Sequence, residues 1–334
     1  MTLFAGAASN DAPQLVSAKR IWDEGQHNAF TDLTRFDGKW FCTFRESRAH
    51  VGGNGKIRVL TSADGESWES AALLSEEGID LRDPKLSVTP SNRLMLVLGG
   101  SVYDGKTLKE RQSRVAFSAN GQDWSIPQRV LEKGDWLWRV TWHNGHAYGI
   151  AYNSTGEGTT SSAAQAEDWT TTLVESDDGV AFRLVAKLEV PGHPNEATVR
   201  FRENGDCVAL LRREGLSGST DNEAWIGVSQ APYKQWNWHP AGLRIGGPNF
   251  LVLPGGAMIA SGRQSGGKSA ESKTFVGRMD LQSVAPELIL PSGGDCSYAG
   301  MVAQGDLLWL SYYSSHEGKT SIYLAKVRLR AGTR

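Results

Sequence analysis

The 334-residue chain predicts an all-β fold: a six-bladed β-propeller of four-stranded antiparallel blades, closed by the N-terminal strand joining the last blade. Three observations carry this. Strand–turn–strand units recur six times, at intervals of roughly fifty residues, which is the signature of blades. Their expected two-residue turns fall at Asp37-Gly38, Ser91-Asn92, Asn144-Gly145, Asn204-Gly205, Gly255-Gly256 and Gln304-Gly305. Finally, a lone strand near the N-terminus, LVSAKRIWDE, has no hairpin of its own, while the last unit, ending in SIYLAKVRL, has only three strands. Joining the two completes a sixth blade and removes exposed edges.

The fourth unit, HPNEATVRFRENGDCVALLRRE (193–214), is the clearest template. Ala197, Val199 and Phe201 recur with a period of two, and Cys207, Ala209 and Leu211 repeat that spacing. A period of two reads as paired strands, and Asn-Gly between them favours a type I′ turn. Third strands follow at KIRVLTS, RVAFSA, TTLVES, EAWIGVSQ, TFVGR and IYLAK, and fourth strands at SWESAALL, DWSIPQRVL, AFRLVAKL, WNWHPAGL and SVAPELIL. Three third strands enter a shared turn: Ser62 to Trp68, Ser118 to Trp124 and Ser176 to Phe182. In each, a short Asp or Asn is placed to bond its own backbone, Gly to take positive φ, and an aromatic ring to pack beneath. These turns are expected to be structural.

Composition narrows the function. Lys plus Arg (35) and Asp plus Glu (37) nearly cancel, which argues against nucleic acid as a partner. No apolar run approaches membrane-spanning length, so no membrane partner is expected. MTLFAGAASNDAPQ lacks the basic and long apolar regions of a secretory leader. Three cysteines (Cys42, Cys207, Cys296) cannot all pair; buried thiols and a reducing, cytoplasmic compartment are favoured. One catalytic propeller over 14–331 is expected, after a short extension, 1–13. The seven histidines show no compact ligand set in sequence, so neither a catalytic metal nor a cofactor is expected.

If the first strand of each blade runs from top to bottom near the axis, the short turns lie below and the longer connections above. Long loops carry function while strands position it. At the tops of the inner hairpins stand His27, Arg45, Asp83, Trp138 and Arg139, Glu196, Arg212 and Arg213, Asn249, Arg263, Tyr298 and Tyr313. Converging arginines imply either an internal network with Glu46, Asp83, Glu196 and Glu214, or a pocket for a carboxylated or polyhydroxylated sugar. Trp138 and Trp142 offer stacking faces, and the polar stretch Ser154 to Glu167 is a lid candidate.

In these residues the chain resembles the sialidase-like glycosidases of the neuraminidase superfamily. Those are six-bladed propellers with Asp-box (BNR) turns, an arginine triad, a Tyr–Glu nucleophile pair and an acid/base Asp. The three Ser-to-aromatic turns match the Asp-box. The resemblance implies that Tyr298, in Asp-Cys-Ser-Tyr, is the nucleophile and Glu196 its base, with Arg212 and Arg263 in the triad. Strict register through Asn204-Gly205 places Arg213 rather than Arg212 opposite Glu196; a bulge restores Arg212. A neutral phenol suits an anionic sugar better than a carboxylate does, and sialidases depart from the two-carboxylate pattern in this way.

The chain departs from the family twice. His27-Asn28-Ala29 stands where the first triad arginine belongs, and between Ala49 and Gly53 only His50 can transfer a proton. Asp83 is the reserve acid. The expected function is an exo-acting, retaining glycoside hydrolase cleaving a terminal acidic sugar. Tyr298, Glu196 and His50 would be catalytic; Arg212, Arg263, Arg139, Asp83, Arg45, His27 and Asn249 would bind the glycan or small glycoside. Two rivals stand: a polysaccharide lyase with His50 or His193 as base and Tyr298 as acid, and a carbohydrate-binding propeller without chemistry.

Overall fold

The computed structural model describes residues 12–154, 169–215, 219–265 and 272–329. Among them, 24 strands form six sheets, each of four antiparallel strands. The first strands of the six blades are His27–Phe36, Asp80–Val88, Asp135–His143, Pro194–Phe201, Gly246–Val252 and Cys296–Gln304. Each packs against the first strand of the next blade, and the sixth returns to the first, so the six surround a common axis. Gln14–Trp22 pairs antiparallel with Ser321–Arg328, from Gln14↔Arg328 to Trp22↔Ile322. The N-terminal strand therefore supplies the outer strand of blade six and closes the ring.

The core lies between neighbouring blades. Tyr148, Ile150 and Leu173 of blade three, for example, pack on Val199, Ala209 and Leu211 of blade four. The alternating strands place apolar residues on both sheet faces, because every blade is covered on both sides. All three cysteines are buried and unpaired. The three turns at Ser62, Ser118 and Ser176 share one bonding pattern. The serine Oγ accepts the N–H of Gly65, Gly121 or Gly179, and Asp64, Asn120 or Asp178 accepts the next two N–H groups.

The inner turns differ from expectation in four blades. Asp37-Gly38 and Asn144-Gly145 are two-residue turns with both residues at positive φ, and the last is Gly305-Asp306, one position on. Blades two, four and five instead use three-residue loops, Pro90–Asn92, Glu203–Gly205 and Pro254–Gly256. Arg202 N donates to Asp206 O and Gly205 N to Arg202 O, as in a type I turn followed by a left-handed glycine. The extra residue shifts the ladder by one, which matters at the site. The blade-two connection is also not a loop. Leu94–Asp104 and Thr107–Ser118 form a hairpin arm turning at Gly105-Lys106. In blade two, the expected outer strand DWSIPQRVL shortens to Gln128–Val130, because Pro127 has no N–H to give the ladder.

Candidate active site

Every inner strand carries a bulge near its upper end, where two residues face one on the partner. The pairs are Phe30-Thr31, Asp83-Pro84, Trp138-Arg139, Asn195-Glu196, Gly247-Pro248 and Tyr298-Ala299. A bulge re-aims a side chain that regular pleating would hold in the sheet. Phe30 (φ 65°), Asp83 (φ 49°), Gly247 (φ 58°) and Tyr298 (φ 53°) take the left-handed conformation. Ser297 joins them at φ 94°. Such conformations in non-glycine residues cost about 1–3 kcal/mol each and persist where the surroundings enforce them.

Tyr298 and Glu196 meet at this ring. The Tyr298 hydroxyl donates to Glu196 Oε1 at 2.6 Å, and Arg212 Nη1 lies 2.8 Å from the same oxygen and 3.2 Å from the hydroxyl. Glu196 Oε2 accepts the Gly247 N–H at 2.8 Å. The three-residue turn supplies the register: with it, Arg212 faces the Asn195-Glu196 bulge. Arg213 points away and is bound by Asp221 and Pro191 O. Gly247 is required here, since a Cβ would stand 2.8 Å from the Tyr298 ring.

Electrostatics fix the protonation states. Burial resists ionisation of Glu196, but the Arg212 charge, hydrogen bonds from Tyr298 and Arg212, and Arg263 outweigh it and hold the carboxyl below its ordinary value. Burial and the Glu196 carboxylate push the Tyr298 phenol far above the usual tyrosine value, against Arg212 and Arg263. The resting pair is thus a carboxylate and a neutral phenol. Arg263 lies 5.7 Å from the Tyr298 ring centroid and has no carboxylate partner among the described residues; one nitrogen donates to Cys296 O at 3.4 Å.

Aromatic rings wall the phenol. Phe30 and Trp138 pack edge-on at 5.2 and 5.4 Å between centroids, with Tyr313 at 5.8 Å. His50 packs on the other side of Phe30 at 5.2 Å. Its Nδ1 bonds Asp295 Oδ2 at 2.6 Å, and His27 Nε2 reaches the same oxygen at 3.0 Å, while the Tyr313 hydroxyl donates to Oδ1 at 2.9 Å. Burial opposes ionisation of Asp295, yet these hydrogen bonds hold its carboxyl well below the usual range.

The remaining candidates divide. Asp83 is on the bulge ring, and burial raises its carboxyl above the ordinary value against the pull of Arg82 and Lys85. Arg45 is fully buried, paired twice with Asp80 (2.8 and 3.0 Å), and donates to Ala49 O and Gly52 O. Arg82 donates to His50 O at 2.8 Å. Both arginines therefore pin the loop that carries His50. Arg139 is spent on Asp32 (2.8 and 2.9 Å), and Asn249 bonds Ala299 O, Arg200 and the Phe250 N–H. These two tie inner strands together and bring no free group to Tyr298. Of the lid candidate, residues 155–167 lie outside the described residues.

Sequence reasoning missed Asp295, Lys85 and the bulge glycine. Asp295 stands three residues before Tyr298, outside any strand pattern. Lys85 follows Asp83-Pro84 on an inward position; its amine lies 4.7 Å from the Trp138 ring centroid, and burial with nearby Arg139 lowers its pKa to about 8.

No family model matches the sequence, and no curated protein matches it by sequence. Solved structures do match in shape. A protein of unknown function from Dyadobacter fermentans has a TM-score of 0.80 at 19% identity, covering 96% of this chain and 100% of that one. The α-L-arabinanase of Penicillium chrysogenum has a TM-score of 0.72 at 14% identity, covering 96% and 99%. The sialidase of Trypanosoma rangeli has a TM-score of 0.70 at 13% identity, with 98% of this chain covering 60% of the sialidase. The chain is thus similar in fold to six-bladed propellers that include sialidase and arabinan-degrading glycoside hydrolases.

Proposed function

We propose that the protein is an exo-acting, retaining glycoside hydrolase with Tyr298 as nucleophile and Glu196 as its base. The observation that carries this is the 2.6 Å hydrogen bond from the Tyr298 hydroxyl to the Glu196 carboxylate, two residues 102 positions apart. Tyrosine is unreactive at its free pKa of about 10, so a nucleophilic phenol needs a base in contact. As the Tyr298 oxygen attacks the anomeric carbon, its proton passes to Glu196 Oε1. His50, held through Nδ1 by Asp295, gives a proton from Nε2 to the departing glycosidic oxygen. In the second half, His50 takes a proton from water, the resulting hydroxide attacks the anomeric carbon, and Glu196 returns its proton to the leaving phenolate. Glycosidic bond and water are exchanged for sugar and alcohol, with two inversions and net retention.

Arg263 and Asp83 would orient the sugar, with Arg212 supporting the Tyr–Glu pair. The case for an acidic sugar from converging arginines is weaker than the sequence implied, since Arg45, Arg139, Arg212 and Arg213 each pair with a carboxylate of the protein. One anionic group facing Arg263 is the form of that proposal that fits. A panel of aryl glycosides carrying sialic, uronic, deoxy and neutral pentose sugars tests the reading. Release of aryl alcohol with retained anomeric configuration by NMR, lost in Tyr298→Phe, is the expected result. An ultraviolet-absorbing unsaturated product would establish a lyase instead, and binding without turnover would establish a lectin-like propeller.

A further inference from the structure

We propose that His27, His50 and Asp295 form a binding site for a zinc-type divalent transition-metal ion, bridging blades one and six at the rim of the site. Their ligand atoms all lie within 4.8 Å of one another, and no other group of three such residues converges among the described residues. The three come from separate places: the first residue of blade one's inner strand, the loop after its second strand, and the residue preceding blade six's inner strand. Two imidazoles and one carboxylate suit zinc, cobalt or nickel, whereas calcium and magnesium need a shell of oxygens.

The geometry needs little adjustment. Ligand atoms on a tetrahedral zinc, with bonds of about 2.0–2.2 Å, stand roughly 3.3 Å apart. Here His27 Nε2 and His50 Nδ1 lie 3.0 and 2.6 Å from Asp295 Oδ2 and within 4.8 Å of each other, so the two contacts to Asp295 open by about 0.3 and 0.7 Å. His27 is buried in a strand, whereas the His50 side chain is half-exposed on a loop held at its backbone, so the adjustment falls to the His50 side chain. Outer contacts are already present. The Tyr313 hydroxyl holds Asp295 Oδ1, Ser315 Oγ accepts the Asp295 N–H at 2.9 Å, and Arg82 holds the His50 carbonyl. Such partners orient ligands, and their loss typically weakens binding about 10- to 100-fold.

A metal on Nδ1 detaches His50 from Asp295. A loaded site would therefore lose its proton donor, a consequence that rests on the glycosidase reading, whereas binding itself does not. The test uses the tag-free protein and Zn²⁺ alone, by calorimetry and by metal analysis after dialysis, with Co²⁺ absorption reporting the ligand field. One equivalent is expected. His50→Ala and Asp295→Ala should each weaken binding by at least about tenfold, and Tyr313→Phe by about tenfold. His146→Ala, which removes the exposed pair with Asp177 on the opposite face, should change nothing. Thermal melts confirm folding, and His50→Ala, on its exposed loop, is the variant least able to disturb it. No bound equivalent, or full affinity in His50→Ala, overturns the site. Zinc that binds through these residues without slowing turnover supports the metal site and refutes His50 as the donor.

Discussion

A phenol held next to a carboxylate is harder to ionise, not easier, until something takes its proton. Tyr298 is in that state: buried, neutral, and donating to a Glu196 that Arg212 keeps ionised. The arrangement keeps a nucleophile in reserve until an electrophilic carbon draws on it. Glu196 also links stability to acidity. Its carboxyl has a folded-state pKa below the unfolded value of about 4.3, so its stabilising contribution is present above that value and is lost as pH falls through the folded one. The stability gap between wild type and Glu196→Gln should be widest at neutral pH and shrink below about pH 4. Denaturant titrations across that range check it; a gap that grows on acidification contradicts the assigned ionisation.

At the scale of the strand, the repeated bulge is what turns a propeller edge into a site. It aims Tyr298, Asp83, Phe30 and Trp138 upward from strands whose regular pleat would hide them. Gly247 shows how tight the ring is. Gly247→Ala would bring a Cβ to 2.8 Å of the Tyr298 ring at a φ of 58°, so the ring must shift. Because displacements of about 1 Å near reacting atoms cost about 10²-fold, turnover should fall by that order, with a stability loss of about 1–3 kcal/mol from the left-handed alanine. Unchanged turnover would mean that the ring position does not matter. Strand pattern made the blades legible in the sequence, since alternation and turn residues are local. Only the blade-four bulge was legible, through the Glu196–Arg212 spacing; the others fall so near the strand ends that too few alternating residues lie beyond them to reveal a change of phase. The Arg212 register turned on the same point, as Asn204-Gly205 suits a two-residue turn and the chain uses three. Arg45 and Arg139 sat at the right height for a pocket, but Asp80 and Asp32, from other blades, were invisible as their partners.

Across the whole molecule, the inner strands do not share a backbone ladder, so side chains join the blades. Thr31 donates to Tyr298 O, Thr141 to Val199 O, Thr198 to Pro248 O and Asn249 to Ala299 O. Asp32 carries the heaviest duty, accepting the Leu86 N–H at 2.7 Å and both contacts from Arg139. It thereby connects blades one, two and three. Removing one partner of a buried ion pair costs about 3–5 kcal/mol, so Asp32→Ala should lower the denaturation midpoint by that equivalent without touching the reacting groups. A shift below about 1 kcal/mol would mean that the blades do not depend on this junction.

The proposed chemistry turns on Tyr298 acting as the nucleophile. A fluorinated glycosyl fluoride of the sugar that the aryl panel identifies would slow the second step and trap the intermediate. Peptide mass spectrometry should find the sugar on the fragment containing Tyr298 and find none in Tyr298→Phe. A label on Glu196 or Asp83 instead, or turnover with inverted anomeric configuration, would contradict it.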